Sequence, residues 1–175
     1  SNTYIFIGWS WFIPVEYIKN FNCYCIHPSD LPMYRGGSPI QNQIIDGLEH
    51  SAVTLFRMDE GMDSGPIFGK VKISLKGTLT EVFSEIIRGS IELLSSFMLV
   101  NESNEISLSN QELKNGSICK RRTPEDSLLY IEELNKYSAL QLYNMVRCLQ
   151  EPYPKLKLIF RDGSCLTLND VSYEK

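Results

Sequence analysis

Two stretches of the chain hold the side chains able to do proton chemistry. One runs His27-Pro-Ser-Asp-Leu-Pro-Met-Tyr-Arg-Gly-Gly-Ser-Pro-Ile-Gln41, the other Ala52-Val-Thr-Leu-Phe-Arg-Met-Asp-Glu-Gly-Met-Asp-Ser-Gly-Pro66. An imidazole titrates near neutrality and can give or take a proton. A carboxylate beside it can orient it or share that proton. His27 and Asp63 are these two groups, and each adjoins an apolar stretch that reads as a strand. Side chains at strand ends face the crevice where open α/β sheets bind ligands, so the pair is expected there. Taken alone, His27 fits a structural histidine as well, and Asp63 in Gly-Met-Asp-Ser-Gly fits a turn former. The loop 29–37 has two readings. Either it shapes a substrate entrance, with Arg35 facing a phosphate or carboxylate, or it is a glycine-rich surface turn. Its glycine spacing matches neither a dinucleotide fingerprint nor a P-loop.

The elements that must position these groups follow from the apolar pattern. Residues 4–7 read as a buried strand closed by Gly8, residues 13–19 as a helix with Pro14 in its first turn, and residues 22–27 as a second strand. Strand, helix, strand is a βαβ unit with parallel strands. A short helix is expected over 38–47, a third strand over 52–57, and a fourth over 66–75, hairpin-paired with the third. The longest helical pattern spans 79–100, with Thr80 as N-cap and Val82, Phe83, Ile86, Ile87, Leu93, Leu94 and Phe97 as its apolar stripe. The composition then changes. Residues 101–116 are polar, 119–126 form an extended connector, 140–149 read as a helix, and two strands (156–160 and 166–168) flank the turn 161–164. The expected boundary falls near residue 119, dividing the chain into 1–119 and 120–175.

Bulk properties narrow the function classes. A chain of 175 residues is one domain, or one domain with a small appendage. Hydrophobic content of 43% and charged content of 22% are ordinary for a globular protein. With 17 Lys and Arg against 21 Asp and Glu, the formal charge of −4 speaks against a broad nucleic-acid surface. The local basic run Lys120-Arg-Arg122 reads as a solvated segment. Five scattered cysteines (Cys23, Cys25, Cys119, Cys148, Cys165) lack zinc-site spacing and fit free thiols in a reducing compartment. No metal is expected. The apolar stretch 91–100 is too short to span a bilayer, and no signal-peptide pattern opens the sequence. The expectation is a cytoplasmic protein without a membrane partner.

The ordered motifs carry a resemblance. His-Pro-Ser-x-Leu-Pro-x-Tyr-Arg-Gly-x-x-Pro-Ile-Gln, followed by Val-Thr-x-x-x-Met-Asp-x-Gly-x-Asp-x-Gly, resembles the formyltransferases that use 10-formyltetrahydrofolate. That family includes methionyl-tRNA formyltransferase, the sugar N-formyltransferases and glycinamide ribonucleotide formyltransferase. The connector Lys120-Arg-Arg-Thr-Pro-Glu-Asp126, with Tyr143-Asn-x-x-Arg147 and Pro152-Tyr-Pro154, looks like the start of the second domain in the tRNA and sugar branches. The resemblance runs from about Gly8 to Pro154. It implies an α/β fold: the second half of a Rossmann-like formyltransferase domain, with parallel strands, a β-hairpin and a long helix, followed by a small mixed α/β tail domain. Family members carry three further βα units ahead of the strand 4–7, so the sequence is expected to lack its beginning, leaving that strand with an open apolar edge.

The resemblance also assigns roles. The family moves a formyl group from the folate N10 to a primary amine. His27 would stabilise the oxyanion or shuttle the proton, and Asp63 would orient His27 or accept the proton through water. Cys25 stands where the family has an asparagine. Asn22 cannot replace that asparagine, because its odd offset from His27 puts it on the opposite strand face. A thiol bonds hydrogen more weakly than an amide, so oxyanion stabilisation must come partly from elsewhere. The folate pocket is assigned to Gly8 and Trp9 and to the loop Met58, Asp59, Glu60, Gly61 and Met62. The acceptor side is assigned to Ser29, Leu31, Tyr34, Arg35 and Gly36. Trp11 reads as core packing, and Arg121, Arg122 and Asp126 as ties between tail and catalytic domain. A nucleotide-linked amino sugar is the preferred acceptor, because the tail is short and the balance acidic; methionyl-tRNA is the alternative. Hydrolysis of 10-formyltetrahydrofolate and a non-catalytic folate-binding remnant are the other classes. A small amine, tRNA and a second copy in a homodimer are the partners in view.

Overall fold

Strand β1 (Thr3–Ile7) opens the computed structural model, which describes residues 2–103 and 105–174. The short helix α1 (Val15–Asn20) crosses to β2 (Asn22–His27), which pairs parallel with β1, setting Ile7 opposite Ile26. The expected βαβ unit is present. The two-residue strand β3 (Arg35–Gly36) and helix α2 (Pro39–Ile45) lead into β4 (His50–Arg57) and β5 (Ile67–Ser74). These last two form the antiparallel hairpin, and the sheet order is β1-β2-β4-β5. β2 is buried along nearly its whole length because it lies inside the sheet, whereas β1 forms its edge.

Helix α3 (Leu79–Ser103) covers β4 and β5. It starts one residue before the expected cap. Thr78 and Glu81 hold its first turn reciprocally: the Thr78 N–H donates to Glu81 Oε2 (2.7 Å) and the Glu81 N–H to Thr78 Oγ1 (3.3 Å). Thr-x-x-Glu at this spacing is a capping box, so Thr78 does what the sequence pattern assigned to Thr80. Val82, Leu93 and Phe97 are buried as expected, but Ile87 is 58% exposed. It lies at the margin of the apolar stripe, turned off the sheet. Phe97 packs at a tilt against Tyr24 (4.6 Å between ring centres) and meets Phe68 edge-on (5.1 Å).

Beyond α3 the chain returns to the sheet. β6 (Ile118–Cys119) pairs parallel with β3. Then β7 (Leu128–Tyr130), β8 (Lys157–Ile159) and β9 (Cys165–Thr167) form a third sheet, of three strands, and α4 (Ala139–Cys148) packs on α2. Leu129, Met145, Val146, Leu149 and Leu156 join the same buried cluster as Tyr24, Ile44, Leu75, Leu79 and Val82. Trp11 is not a core residue: it is 77% exposed, with Phe12 at 87%. Both sit on the loop that leaves the edge strand, where none of the described elements lies over them. No helix among the described residues is long and apolar enough to cross a membrane.

Candidate active site

The last residue of β2 is His27, paired across the sheet with Thr54. Thr54 lies under the loop that follows. Its hydroxyl donates to the Ser29 carbonyl (2.7 Å) and takes the Leu31 N–H (3.5 Å), while Ser29 Oγ donates to the Met33 carbonyl (2.7 Å). These bonds turn the chain so that the Tyr34 carbonyl arrives 2.8 Å from His27 Nε2. A carbonyl oxygen can only accept, so Nε2 carries the hydrogen. In the neutral ring Nδ1 is then the free base. It lies 3.5 Å from Asp63 Oδ2, with 8% of the His27 side chain and 22% of the Asp63 side chain exposed.

Asp63 reaches this place by an indirect path. β4 runs against β2 and ends at Arg57 opposite Tyr24, three residues from His27 and so about 10 Å away along the strand. The hairpin loop must double back over the sheet, which strand-end reasoning from sequence does not anticipate. Asp63 ends with φ of 48°, and its Oδ2 accepts the Gly36 N–H at 2.8 Å. Tyr34 (54°), Ser38 (52°) and Asp63 are the non-glycine residues with left-handed backbone among those described. Such residues cost about 1–3 kcal/mol each and concentrate where function over-determines the backbone. Here all three lie on the two loops that meet where the Gly36 N–H reaches Asp63. Glycine is required beside them. A Cβ on Gly36 (φ 95°) would lie 2.7 Å from the Cys119 carbonyl oxygen, and one on Gly37 would lie 2.5 Å from Arg121 Cα.

Cys25 shares the His27 face of β2 and is buried with Leu31, Phe56 and Ile67. Burial, aided by the charge of Asp63, pushes its thiol up to about 12. It is a neutral, weak donor with its Sγ 3.7 Å from the Ile26 carbonyl. Ser29 and Leu31 are wholly buried, so neither side chain is open to a ligand. The Tyr34 hydroxyl donates to Asp46 Oδ2 at 2.8 Å, and burial together with that bond raises the phenol to about 12. Arg35 Nε is buried without a hydrogen-bond partner among the described residues.

The residues assigned to a folate pocket sit on two loops, one after β1 and one after β4. Gly8 takes φ of 61°, and Trp9, 52% exposed, meets Phe6 edge-on at 5.6 Å. The Met58 N–H donates to the Cys23 carbonyl (2.8 Å), anchoring the start of the hairpin loop. Asp59 Oδ1 accepts from the Gly61 N–H (3.0 Å) and the Ser64 hydroxyl (2.7 Å), so this carboxylate is spent on its own turn. Glu60 pairs with Lys19 of α1 at 3.0 Å, and the Met62 sulfur lies beside Gly36. Met62 therefore joins the two groups of predicted residues.

Sequence reasoning missed what fastens the loop from outside. Ser117 Oγ accepts the Tyr34 N–H (2.8 Å) and its carbonyl the Arg35 N–H (3.0 Å), while the Ser117 N–H donates to Pro32. The Gly37 N–H donates to the Cys119 carbonyl at 3.0 Å. Most of these contacts involve main chain and span some eighty residues, so no motif announces them. The only signal was the change in composition before residue 119. Arg121 and Arg122 act as ties: Arg121 Nη2 donates to the Ser10 carbonyl (2.8 Å) and the Arg122 N–H to Ser38 Oγ (3.0 Å). Asp126 does not, since its carbonyl takes the Arg122 guanidinium and its carboxylate the Thr123 N–H (2.6 Å), both inside the tail.

Residues 2–85 match the family model described as Formyl transferase. A methionyl-tRNA formyltransferase from Lachnospira eligens is 29% identical over 182 aligned residues, covering 97% of this chain and 53% of that protein. Among solved structures, methionyl-tRNA formyltransferase from Clostridium thermocellum is 28% identical with a TM-score of 0.75, covering 94% of this chain and 75% of that one. A sugar N-formyltransferase from Shewanella sp FDAARGOS_354 shares the fold at 19% identity, with a TM-score of 0.79 over 99% of this chain and 70% of that one. The chain spans about half or less of the length of the curated relatives it matches.

Proposed function

The segment 2–85 belongs to the formyl transferase family, and from that premise we propose that the protein transfers a formyl group from 10-formyltetrahydrofolate to a primary amine. The observation that carries this reading is the polarity of His27. With Nε2–H committed to the Tyr34 carbonyl, Nδ1 is left facing Asp63 at 3.5 Å. An amine that attacks an acyl carbon must lose a proton. Nδ1 takes it, Asp63 stabilises the imidazolium that results, and the ring then returns the proton to the folate N10 as the bond from N10 to the formyl carbon breaks. The Gly36 N–H fixes the carboxylate for that task. As charge builds on the acyl oxygen, the positive charge of the protonated ring offsets it, since both ring N–H groups already face Tyr34 and Asp63 and the Cys25 thiol is a weak donor.

The folate donor suits the residues on the loops beside His27 and Asp63. Trp9, Met58 and Met62 supply an aromatic face and polarisable thioethers, which suit a flat heterocycle. When bound, the donor supplies an activated one-carbon acyl group. Arg35 fits the acceptor side: its buried, unpartnered Nε calls for an oxygen that a phosphate or carboxylate would bring.

The curated relatives favour methionyl-tRNA as that acceptor. A nucleotide-linked amino sugar is the second reading. It is supported by the net charge of −4 and by the basic run at 120–122, where Arg121 and Arg122 are engaged within the chain and leave little free cation for a phosphate backbone. Incubating the purified protein with 10-formyltetrahydrofolate and each acceptor tests both readings. Formylated acceptor is expected. Formate released without any acceptor would point to hydrolysis, and no turnover with either would overturn formyl transfer.

A further inference from the structure

Gln111 lies in the polar stretch after α3, outside every helix and strand. Two residues earlier, Ser109 is bridged to the first residue of β5: the Ile67 N–H donates to Ser109 (2.8 Å) and the Ser109 N–H to Ile67 (2.9 Å). That bridge sets Gln111 against the hairpin loop. Its carboxamide nitrogen donates to the Asp63 carbonyl at 2.9 Å and the Gly65 carbonyl at 2.7 Å. Both amide hydrogens are thereby used, and two acceptor-only partners fix which end of the amide faces the loop. The other end, Oε1, is buried with no partner among the described residues. An unmade buried acceptor costs about 1–3 kcal/mol, which a methionine at this position would avoid. A residue kept only for packing has no reason to carry that penalty.

The two carbonyls belong to the turn that gives Asp63 its left-handed backbone. Without a common donor they would be free to rotate apart, and Asp63 could relax to ordinary φ. Its carboxylate would then leave both Gly36 and His27. We propose that Gln111 is a positioning residue: it clamps the Asp63 turn and so fixes the carboxylate opposite His27 Nδ1. The proposal rests on the proton-transfer reading of that pair, but its clamp is measurable without turnover.

The chain has two histidines, so ring-nitrogen NMR gives two sets of signals, and a His50→Gln variant of the exposed His50 assigns them. Gln111→Met keeps length and apolar volume and removes both donors. Its His27 ring signals are expected to move towards those of Asp63→Ala, with His50 unmoved and the melting temperature within a few degrees of the parent. Unchanged His27 signals would overturn the clamp. Should Gln111→Met fail to fold, Gln111→Glu carries the same comparison, since it keeps the shape and also lacks both hydrogens. In a formyl-transfer assay Gln111→Met should lower kcat about tenfold to a hundredfold, the scale of a displacement near 1 Å. KM should stay within twofold, and in an Asp63→Ala background the change should have no further effect. A full additional loss in that background would refute action through Asp63. An NMR shift in a protein with no formyl transfer would instead sink the assigned reaction and leave the clamp standing.

Discussion

Replacing Asp63 by asparagine isolates the charge of the pair. Asparagine tolerates left-handed backbone, and its side-chain oxygen can still accept the Gly36 N–H, so the loop should survive. What disappears is the attraction between the carboxylate and an imidazolium whose Nδ1 lies 3.5 Å away. With an effective dielectric constant of about 20, that attraction is about 5 kcal/mol. The Asp63 side chain is 22% exposed, and solvent screening there leaves about 2–3 kcal/mol. At about 1.4 kcal/mol per decade the rate of transfer should fall about thirty- to a hundredfold. An asparagine amide turned towards Nδ1 would occupy the base and push the rate the same way. Single-turnover formyl transfer with saturating donor reads the step directly, with thermal melting as the control for folding. A rate within threefold of the parent at unchanged stability would refute the idea that Asp63 supports a protonated His27.

Other perturbations test neighbouring parts of the same reasoning. His27→Ala should reduce transfer to any acceptor by orders of magnitude, and, by leaving the Tyr34 carbonyl without its donor, should cost about 1–3 kcal/mol of stability without preventing folding; persistent activity would remove the imidazole from the mechanism. Cys25→Asn replaces a weak donor by an amide aimed from the same strand face, and should raise the rate tenfold or more, offset by some stability lost from the Leu31–Phe56–Ile67 cluster; a slower enzyme would show that the thiol is not a handicap. Alkali should weaken the fold in a defined window. The Cys25 and Cys148 thiols, ordinarily near 9.0, are raised to about 12 by burial. Their contribution to stability is complete below about pH 9 and is lost as the pH rises from there towards 12, because only the unfolded chain then releases these protons. Denaturant midpoints measured from pH 8 to 11 should decline, with a shallower slope in a Cys148→Ala variant; parallel curves would contradict the assignment. Iodoacetamide at pH 8 should label the exposed Cys165 well before Cys25, as peptide mapping would reveal.

Much of the frame could be read from the pattern of side chains. The strands ending at Ile7 and His27, the hairpin over residues 50–74 and the long third helix all announce themselves by apolar period and by glycine or proline at their ends. The pairing of His27 with Asp63 was visible as two motifs, but not the path that unites them. Strand logic put the carboxylate at a neighbouring strand end, whereas a folded-back hairpin loop delivers it. The Tyr34 carbonyl, which decides the tautomer of His27, was out of reach for a different reason. Main-chain groups are the same in every residue, and only the Ser29–Thr54 contacts and a left-handed tyrosine aim this one. Trp11 and Ile87 were misplaced because apolar character says that a side chain prefers cover, not that cover is present.

The hydrophobic interior does not stop at residue 119. Leu129, Met145, Val146, Leu149 and Leu156 plug the space beside Ile44, Leu75 and Leu79, and each such burial is worth about 1.5–3 kcal/mol. Losing five of them would approach the whole margin by which domains of this size hold together, about 5–15 kcal/mol. A shortened gene ending at that point would therefore encode a punctured protein rather than a smaller enzyme. Calorimetry of the intact chain should record one peak, with no forerunner from an independently melting tail.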